Sequence, residues 1–364
     1  FALDVRVRHE VTRIDRAQKE VEVRDHLRGA TYRERYDYLV LSPGAAPLRP
    51  PVPGLDSPGV FSLRDVPDMD KIIQWIDTKT PSKAAVVGGG FIGLEMVEQL
   101  HRRGISCSVF ESNEQILMPL DVEMVAPLQD EIRKHGVRIN LADPVSAIEP
   151  GSDNSLTVVT KGGYSESVNL VIWSIGVRPE TTLAKEAGLV LGETGAIRVD
   201  ATLRTSDPSI FAVGDCIEVP HGVTGKPAFI ALAGPANRQG RIVADNICGI
   251  TSRYKGTIGT AIVRAFTLTA ACTGANERLL RRSGVPFQAI HLHPASHASY
   301  YPGAHPFALK VLYHPETGKI LGAQAVGVDG IDKRIDVIAT AIHAEMTIDD
   351  LAELELCYAP PFGS

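Results

Sequence analysis

The sequence lacks several features that would assign a protein to a class at once. It contains no apolar run of about 18 residues, so we expect no membrane-spanning helix and no membrane partner. Its net charge is −6, which gives no support for nucleic acid as a partner. The five cysteines are widely spaced without a CxxC pair, which argues against a disulfide framework and against metal ligands. This pattern favours a reducing, cytoplasmic location and no bound metal.

The chain is long enough to need more than one domain. With 364 residues and 44% hydrophobic content it exceeds one compact core, so two or three domains are expected. It begins with Phe1 inside a pattern typical of a strand, and its end is equally abrupt. We therefore expect it to be a portion of a longer protein.

Two kinds of pattern follow one another along the chain. Residues 3–42 alternate apolar and polar side chains, which predicts the strands of a small antiparallel sheet. The stretch PGAAPLRPPVPGL, which begins at Pro43, is predicted to be a connector outside the core. From Ala84, strand and helix patterns alternate, which predicts a doubly wound parallel sheet and then a hairpin that returns to it. The block after residue 257 is predicted to be strand-rich, with two late helices.

The stretch VVGGGFIGLE, from Val86, carries the first chemical signal. Gly88, Gly90 and Gly93 form G-x-G-x-x-G between a predicted strand and a predicted helix. Such a turn lets a pyrophosphate approach the backbone, and the free N–H groups of the helix bind its charge. Glu111 ends the next strand, where a carboxylate accepts ribose hydroxyls, and the stretch ESNEQILMP offers no Arg or Lys for a 2′-phosphate. The pattern predicts NADH rather than NADPH; a structural glycine turn without a nucleotide is the alternative.

Three further predicted strands stop at glycine. The first ends at Ser42 and Gly44, the second at Gly176, and the third at Gly214 and Asp215. A glycine there lets a flat ligand approach the backbone closely, although each stretch alone also fits an ordinary strand end. A carboxylate such as that of Asp215 at a buried strand end needs hydrogen-bond donors, which a sugar or ribityl chain supplies.

These stretches, in this order, resemble the flavoprotein disulfide reductases with two dinucleotide-binding domains. YDYLVLSPGA is similar to the segment between the family's flavin and nicotinamide domains, SIFAVGDC to its second FAD motif, and ALAGPANRQG to the helix under the flavin ring. The resemblance implies an α/β fold: two Rossmann-like dinucleotide-binding domains in three layers and a C-terminal α+β dimerisation domain. It places a partial FAD-binding domain at 1–65, an NAD-binding domain at 66–198, the rest of the FAD-binding domain at 199–256 and the dimerisation domain at 257–364.

The resemblance also implies cofactors and the residues that bind them. FAD and NADH are expected, with Asp215 on the ribityl chain, Phe91 as an aromatic gate over the flavin and Glu95 as the partner of a lysine near the flavin. As alternatives, Phe91 is a simple apolar helix residue and Glu95 an exposed helix glutamate. The implied cofactor-binding residues are Val11, Ser42, Gly44, Gly88, Gly90, Phe91, Ile92, Gly93, Glu111, Gly176, Gly214, Asp215, Ala231, Leu232 and Ala233.

The C-terminal part narrows the resemblance to one branch. SHASYYPGA and CYAPPFGS are similar to coenzyme A-disulfide reductases, including forms fused to a rhodanese domain. In that branch two tyrosines from the dimer partner reach the redox cysteine, and they correspond here to Tyr300, or its neighbour Tyr301, and to Tyr358. The resemblance implies a homodimer, catalytic roles for both tyrosines and for Glu95, and coenzyme A as a substrate or bound ligand. Interface packing of the tyrosines is the alternative.

Two parts of the family pattern have no counterpart in the chain. They are the first glycine loop, which holds the ADP half of FAD, and the redox cysteine; Cys357 matches no nucleophile of the family. We expect both in a preceding portion. The implied function passes electrons from NADH through FAD and a cysteine to a coenzyme A disulfide or to a persulfide or polysulfide. An NADH oxidase or peroxidase and a non-catalytic NAD-binding redox module remain as alternatives.

Overall fold

The computed structural model describes residues 3–363 and divides into two compact units. The first unit is Phe1–Ala46 with Arg178–Thr257, and the second is Pro47–Val177 with Ile258–Ser364. Among residues 3–363, no helix is both long enough and apolar enough to span a bilayer.

Strands outnumber helices in the described part of the chain. In chain order, the strands are β1 (His9–Asp15), β2 (Glu20–Asp25), β3 (Ala30–Arg35), β4 (Leu39–Leu41), β5 (Ala45–Pro47), β6 (Val60–Phe61), β7 (Lys83–Val87), β8 (Ser106–Phe110), β9 (Arg138–Asn140), β10 (Val145–Pro150), β11 (Leu156–Thr160), β12 (Ser165–Val168), β13 (Leu170–Trp173), β14 (Val177–Pro179), β15 (Ile197–Arg198), β16 (Ile210–Ala212), β17 (Ile217–Pro220), β18 (Pro227–Ala228), β19 (Ala261–Ala265), β20 (Leu268–Gly274), β21 (Gln288–Leu292), β22 (Phe307–Tyr313) and β23 (Ile320–Gly327). The helices are α1 (Val66–Lys79), α2 (Phe91–Arg102), α3 (Val122–Lys134), α4 (Thr182–Glu186), α5 (Ala233–Ile247), α6 (Glu277–Ser283), α7 (Ile331–His343) and α8 (Ile348–Ala352).

The first unit begins with the predicted antiparallel sheet, in the order β1-β2-β3. The alternation of apolar and polar side chains along β1 and β2 places Ile14, Val21 and Val23 in the core of the unit. The prediction that the sheet continues to residue 42 is wrong, because β4 leaves it and pairs in parallel with β16. The alternation of polar side chains ends at Tyr36, and the following apolar run YLVL suits a strand next to a buried parallel neighbour.

The second unit contains the predicted doubly wound sheet. Its five strands are all parallel, in the order β6-β13-β7-β8-β9, and the α/β class is confirmed. Ala85, Val86 and Val171 have no exposed surface, as expected for strands covered on both faces. Only β13 returns to this sheet; the predicted hairpin β11-β12 instead joins β10 in a separate antiparallel sheet.

The proline-rich connector is more ordered than its composition predicts. Leu55 is buried against the β10–β13 region of the core, and the Ile148 N–H donates to the Pro53 carbonyl at 2.8 Å. The prediction that the stretch lies wholly outside the core is therefore wrong at Leu55.

The C-terminal part of the second unit is an antiparallel sheet in the order β19-β20-β23-β22-β21. Helix α7 packs on it through Ile335 and Ile338, and both predicted late helices are present. Helix α6 was not predicted. Its signals are Asn276, whose side chain accepts the Leu279 N–H as an N-cap, and Gly284, which ends the helix in the left-handed conformation.

Candidate active site

Two glycines in and beside the turn after β7 lie where no side chain would fit. Gly88 has φ +106°, and a Cβ on it would lie 2.4 Å from the Ser174 carbonyl oxygen. A Cβ on Gly93 would lie 2.0 Å from the Gly88 carbonyl oxygen. These two glycines therefore allow the strand, the turn and helix α2 to pack together.

Gly90 has a different surrounding, because a Cβ built on it meets no atom within 4 Å. The packing of the protein thus does not require glycine there, and the open space lies directly at the start of α2. Gly90 is the N-cap of this helix and provides no side-chain hydrogen bond, so the first N–H groups are free to bind an anion.

The Glu111 carboxylate lies beside this turn and is only 8% exposed. Its Oε2 accepts the Gly89 N–H at 2.8 Å, which connects the end of β8 to the glycine turn. Its Oε1 accepts the backbone N–H of Asn113 at 2.9 Å, the Asn113 Nδ2 at 2.6 Å and the Ser112 hydroxyl at 3.2 Å. These donors hold the carboxylate charge at the predicted place. They were missed in the sequence, although Ser and Asn directly after an acidic strand end are a turn signal.

The other predicted residues of the second unit lie near the same end of its parallel sheet. Phe91 is half-buried at the start of α2, and Ile92 is exposed. Gly176, with φ +125°, follows β13, and its carbonyl accepts the Leu48 N–H at 2.9 Å. Glu95 is exposed and lines a cavity of about 390 Å³ that also contains Arg264 and Asp332.

The predicted flavin residues of the first unit gather around two neighbouring strand ends. Because β4 and β16 are parallel neighbours, Ser42 and Gly44 leave the sheet at the same edge as Gly214 and Asp215. The Gly214 N–H donates to Gln239 Oε1 at 2.7 Å, which ties this edge to α5.

Helix α5 begins at Ala233, directly after Ala231 and Leu232, and its N-cap Leu232 gives no side-chain hydrogen bond. This edge of the first unit therefore combines glycine strand ends with an uncapped helix start, which fits a flavin dinucleotide. Val11 lies on β1, half-buried and packed against the core of this unit.

The structure brings the two predicted tyrosines together. Tyr300 lies between β21 and β22, Tyr358 lies in the C-terminal segment, and the interaction between their side chains raises the pKa of Tyr300. Both side chains are exposed, at 76% and 62%. Lys333 donates to the carbonyls of Cys357 and Gly363, on either side of Tyr358. The neighbouring Tyr301 instead packs edge-to-face on His297.

The cysteines divide by burial. Cys107, Cys216 and Cys272 are buried, and burial raises the pKa of each thiol to about 12. A thiol with such a pKa is almost entirely protonated at neutral pH and is a poor nucleophile. Cys248 and Cys357 are exposed.

Two family patterns match the chain. The pattern described as pyridine nucleotide-disulphide oxidoreductase matches residues 2–240. The pattern described as the dimerisation domain of pyridine nucleotide-disulphide oxidoreductases matches residues 260–364.

Curated relatives cover most of the chain. A coenzyme A disulfide reductase of Staphylococcus aureus is 33% identical over 362 residues, which are 99% of this chain and 80% of that protein. An NADH oxidase of Methanocaldococcus jannaschii is 35% identical over 334 residues, which are 92% of this chain and 74% of that protein.

Solved structures with the same fold include two longer chains. Reduced CoADR-RHD of Bacillus anthracis is 47% identical with a TM-score of 0.97, and the match covers 100% of this chain. A NAD-dependent persulfide reductase from A. fulgidus is 38% identical with a TM-score of 0.94, and the match covers 98% of this chain. The chain spans 65% of the length of each of these two proteins.

Proposed function

Because the chain belongs to the pyridine nucleotide-disulphide oxidoreductase family, we propose that the protein containing it is an NADH-dependent flavoprotein reductase of coenzyme A disulfides or of persulfides. The observation that carries this substrate class is that the side chains of Tyr300 and Tyr358, from two separate loops, lie close enough to interact. It is supported by the similarity to a coenzyme A disulfide reductase and to a persulfide reductase.

The second unit supplies the site for the reductant. The free N–H groups at Gly90 and the start of α2 would bind the pyrophosphate of NADH, and Glu111 would accept the adenosine ribose hydroxyls. Phe91 would cover the nicotinamide end, and Glu95 would pair with a lysine beside the flavin.

The first unit fits FAD at the strand ends that carry Gly44, Gly214 and Asp215 and at the start of α5. When bound, FAD supplies the electron transfer between a reduced nicotinamide and a thiol–disulfide couple. The residues of this chain bind and orient it, and Asp215 would hold the ribityl hydroxyls.

The tyrosine hydroxyls would act on the substrate. Cleavage of a disulfide or persulfide leaves a thiolate, and Tyr300 or Tyr358 would donate a hydrogen bond or a proton to its sulfur. The raised pKa of Tyr300 keeps this hydroxyl protonated. We propose that both tyrosines act on the site of the partner subunit in a homodimer, which the match to a dimerisation domain supports. None of the five cysteines of this chain corresponds to the attacking cysteine that the resemblance implies.

An NADH oxidase that reduces oxygen is the second candidate, because a 35% identical relative carries that name. The complete protein, purified with its flavin, separates the two. Anaerobic NADH consumption that depends on added coenzyme A disulfide, or on coenzyme A persulfide, is the expected result. NADH consumption at full rate under air, with no stimulation by either sulfur substrate, would favour the oxidase instead.

We expect Glu111 to determine the preference for NADH over NADPH. The carboxylate repels a 2′-phosphate and accepts ribose hydroxyls, and hydrogen bonds to charged groups of this kind correspond to about 10- to 100-fold in affinity. Glu111→Gln should raise the KM for NADH by about tenfold. The substitution removes the charge, and the amide NH2 group of the glutamine replaces one of the oxygens that accept the N–H groups of Gly89 and Asn113. The ratio of kcat/KM for NADH to that for NADPH should fall.

Glu149→Gln is the matched control, since Glu149 is an exposed glutamate on β10 of the same unit, outside the glycine turn and the loop after β8. It should leave both the KM and the cofactor ratio unchanged. A wild-type protein that prefers NADPH, or a Glu111→Gln variant with an unchanged ratio, would contradict this role.

A further inference from the structure

The loop between β8 and α3, residues 112–120, lies directly on the glycine turn. The Leu117 N–H donates to the Gly89 carbonyl at 2.9 Å. Ile116 is fully buried, and its Cγ2 lies 2.5 Å from where a Cβ on Gly89 would stand. Together with Glu111 at its start, this segment forms one side of the dinucleotide site; we call it the dinucleotide loop.

The carbonyls of this loop are held by side chains from a distant part of the sequence. Asn276 Nδ2 donates to the carbonyls of Met118 and Pro119, at 3.0 and 3.2 Å. Arg278 also donates to the Met118 carbonyl, at 2.9 Å. Both residues lie at the start of α6, inside the segment that matches the dimerisation domain. The dinucleotide loop is therefore held between the glycine turn on one side and α6 on the other.

The end of the loop is held from the sheet of the same C-terminal segment. Asp121 and Gln324 exchange two hydrogen bonds: the Asp121 N–H donates to Gln324 Oε1, and Gln324 Nε2 donates to Asp121 Oδ2, both at 2.6 Å. Gln324 is only 1% exposed, within the otherwise apolar strand ILGAQAVG. A fully buried amide in such a strand needs these partners, because a buried polar group without them is costly.

Lys310 completes this attachment. Its ammonium is fully buried between the carboxylates of Asp121, Glu123 and Glu277. Burial lowers the pKa of Lys310, but these carboxylates outweigh it and the pKa is raised. The charged ammonium occupies the space between the three carboxylates, so the cluster is an ion-pair network and not a site for a metal ion.

We propose that Asn276, Arg278 and Gln324 are positioning residues that fix the dinucleotide loop against the glycine turn and so set the affinity for NADH. This inference rests on the proposed function of the glycine turn. A loop that is already ordered does not lose conformational freedom when the ligand binds, whereas a released loop must be ordered at that moment. Contacts of the C-terminal domain thereby contribute to reductant binding without touching the reductant.

Asn276→Asp separates the two roles of Asn276. The aspartate keeps an oxygen that accepts the Leu279 N–H, so the N-cap of α6 remains. It replaces the amide donor by an oxygen that faces the Met118 and Pro119 carbonyls. We expect the KM and Kd for NADH to rise about tenfold, with unchanged kcat at saturating NADH and unchanged flavin content.

Arg278→Ala is the second variant, and because Arg278 is exposed it should not disturb folding. It should raise the KM for NADH in the same direction by about threefold. Arg282→Ala, an exposed arginine of the same helix, is the control and should leave the KM unchanged.

The outcomes separate this inference from the proposed function. If wild-type protein binds NADH and both variants bind it equally well, the positioning role is overturned while the site stands. A loss of kcat and flavin together, with no selective change in KM, would also overturn it, because that is the effect of a merely structural contact. If wild-type protein shows no NADH binding in a fluorescence titration, the proposed function fails and this inference fails with it.

Discussion

Gly90→Val is expected to remove NADH binding while the protein remains folded. A Cβ on Gly90 meets no atom within 4 Å, and glycine is not needed there for φ, since φ is −82°. The branched side chain would occupy the space in front of the N–H groups of α2. Loss of the phosphate hydrogen bonds at those groups should raise the Kd for NADH by about 100-fold or more.

The measurement is a fluorescence titration with NADH, paired with the thermal unfolding temperature and the flavin content. Gln99→Val is the control, because Gln99 is an exposed residue of the same helix α2, about two turns beyond its start. It adds the same side chain away from the turn and should leave the Kd for NADH unchanged. A Gly90→Val protein with wild-type affinity would show that the dinucleotide does not lie on this turn.

The three glycines of the motif are required for different reasons. The spacing of Gly88 and Gly93 follows from packing inside the turn, and the structure gives a steric reason for both. Gly90 has no such reason within the protein, and the proposed dinucleotide would provide one. The alternation of strand and helix patterns predicted the parallel sheet, and the glycine motif predicted the turn and the place of Glu111, because each of these signals lies within a short stretch of sequence. The family and the α/β class that the ordered motifs implied are confirmed.

The parts that were not predicted depend on distant contacts. Strand β4 has three residues, and its partner β16 lies far along the chain, so local alternation assigned it to the wrong sheet. Asn276 contacts the dinucleotide loop, and Gln324 contacts Asp121 directly after it, each from more than 150 residues away. A buried glutamine in an apolar strand is a signal that some partner exists, but it does not say which one.

The tyrosine pair was predicted in part: its two residues were identified, but their contact was not. The resemblance singled out Tyr300 and Tyr358, but no local pattern relates two exposed residues in separate loops. In the structure the side chains of Tyr300 and Tyr358 interact with each other, while Tyr301 packs on His297. This difference favours Tyr300 over its neighbour as the second member of the pair.

Tyr358→Phe is expected to lower turnover of coenzyme A disulfide by about 100-fold in the complete protein. This is the lower end of the rate loss expected when one general acid is removed. The variant removes the hydroxyl and keeps the ring. The rate of flavin reduction by NADH, followed anaerobically by absorbance, should not change, because the tyrosine acts only on the sulfur leaving group. Turnover and flavin reduction together therefore assign the loss to the second half of the reaction.

Tyr300→Phe should have a comparable effect, and the double variant should lose little more than either single one, because hydroxyls that act as one unit are not additive. Tyr301→Phe is the control: it removes a hydroxyl one residue away and should keep full activity. If Tyr358→Phe retains wild-type disulfide turnover, the tyrosines are interface residues and the proton for the departing thiolate comes from elsewhere. If Tyr301→Phe is the variant that loses activity, the pair seen in the structure is not the pair that meets the substrate.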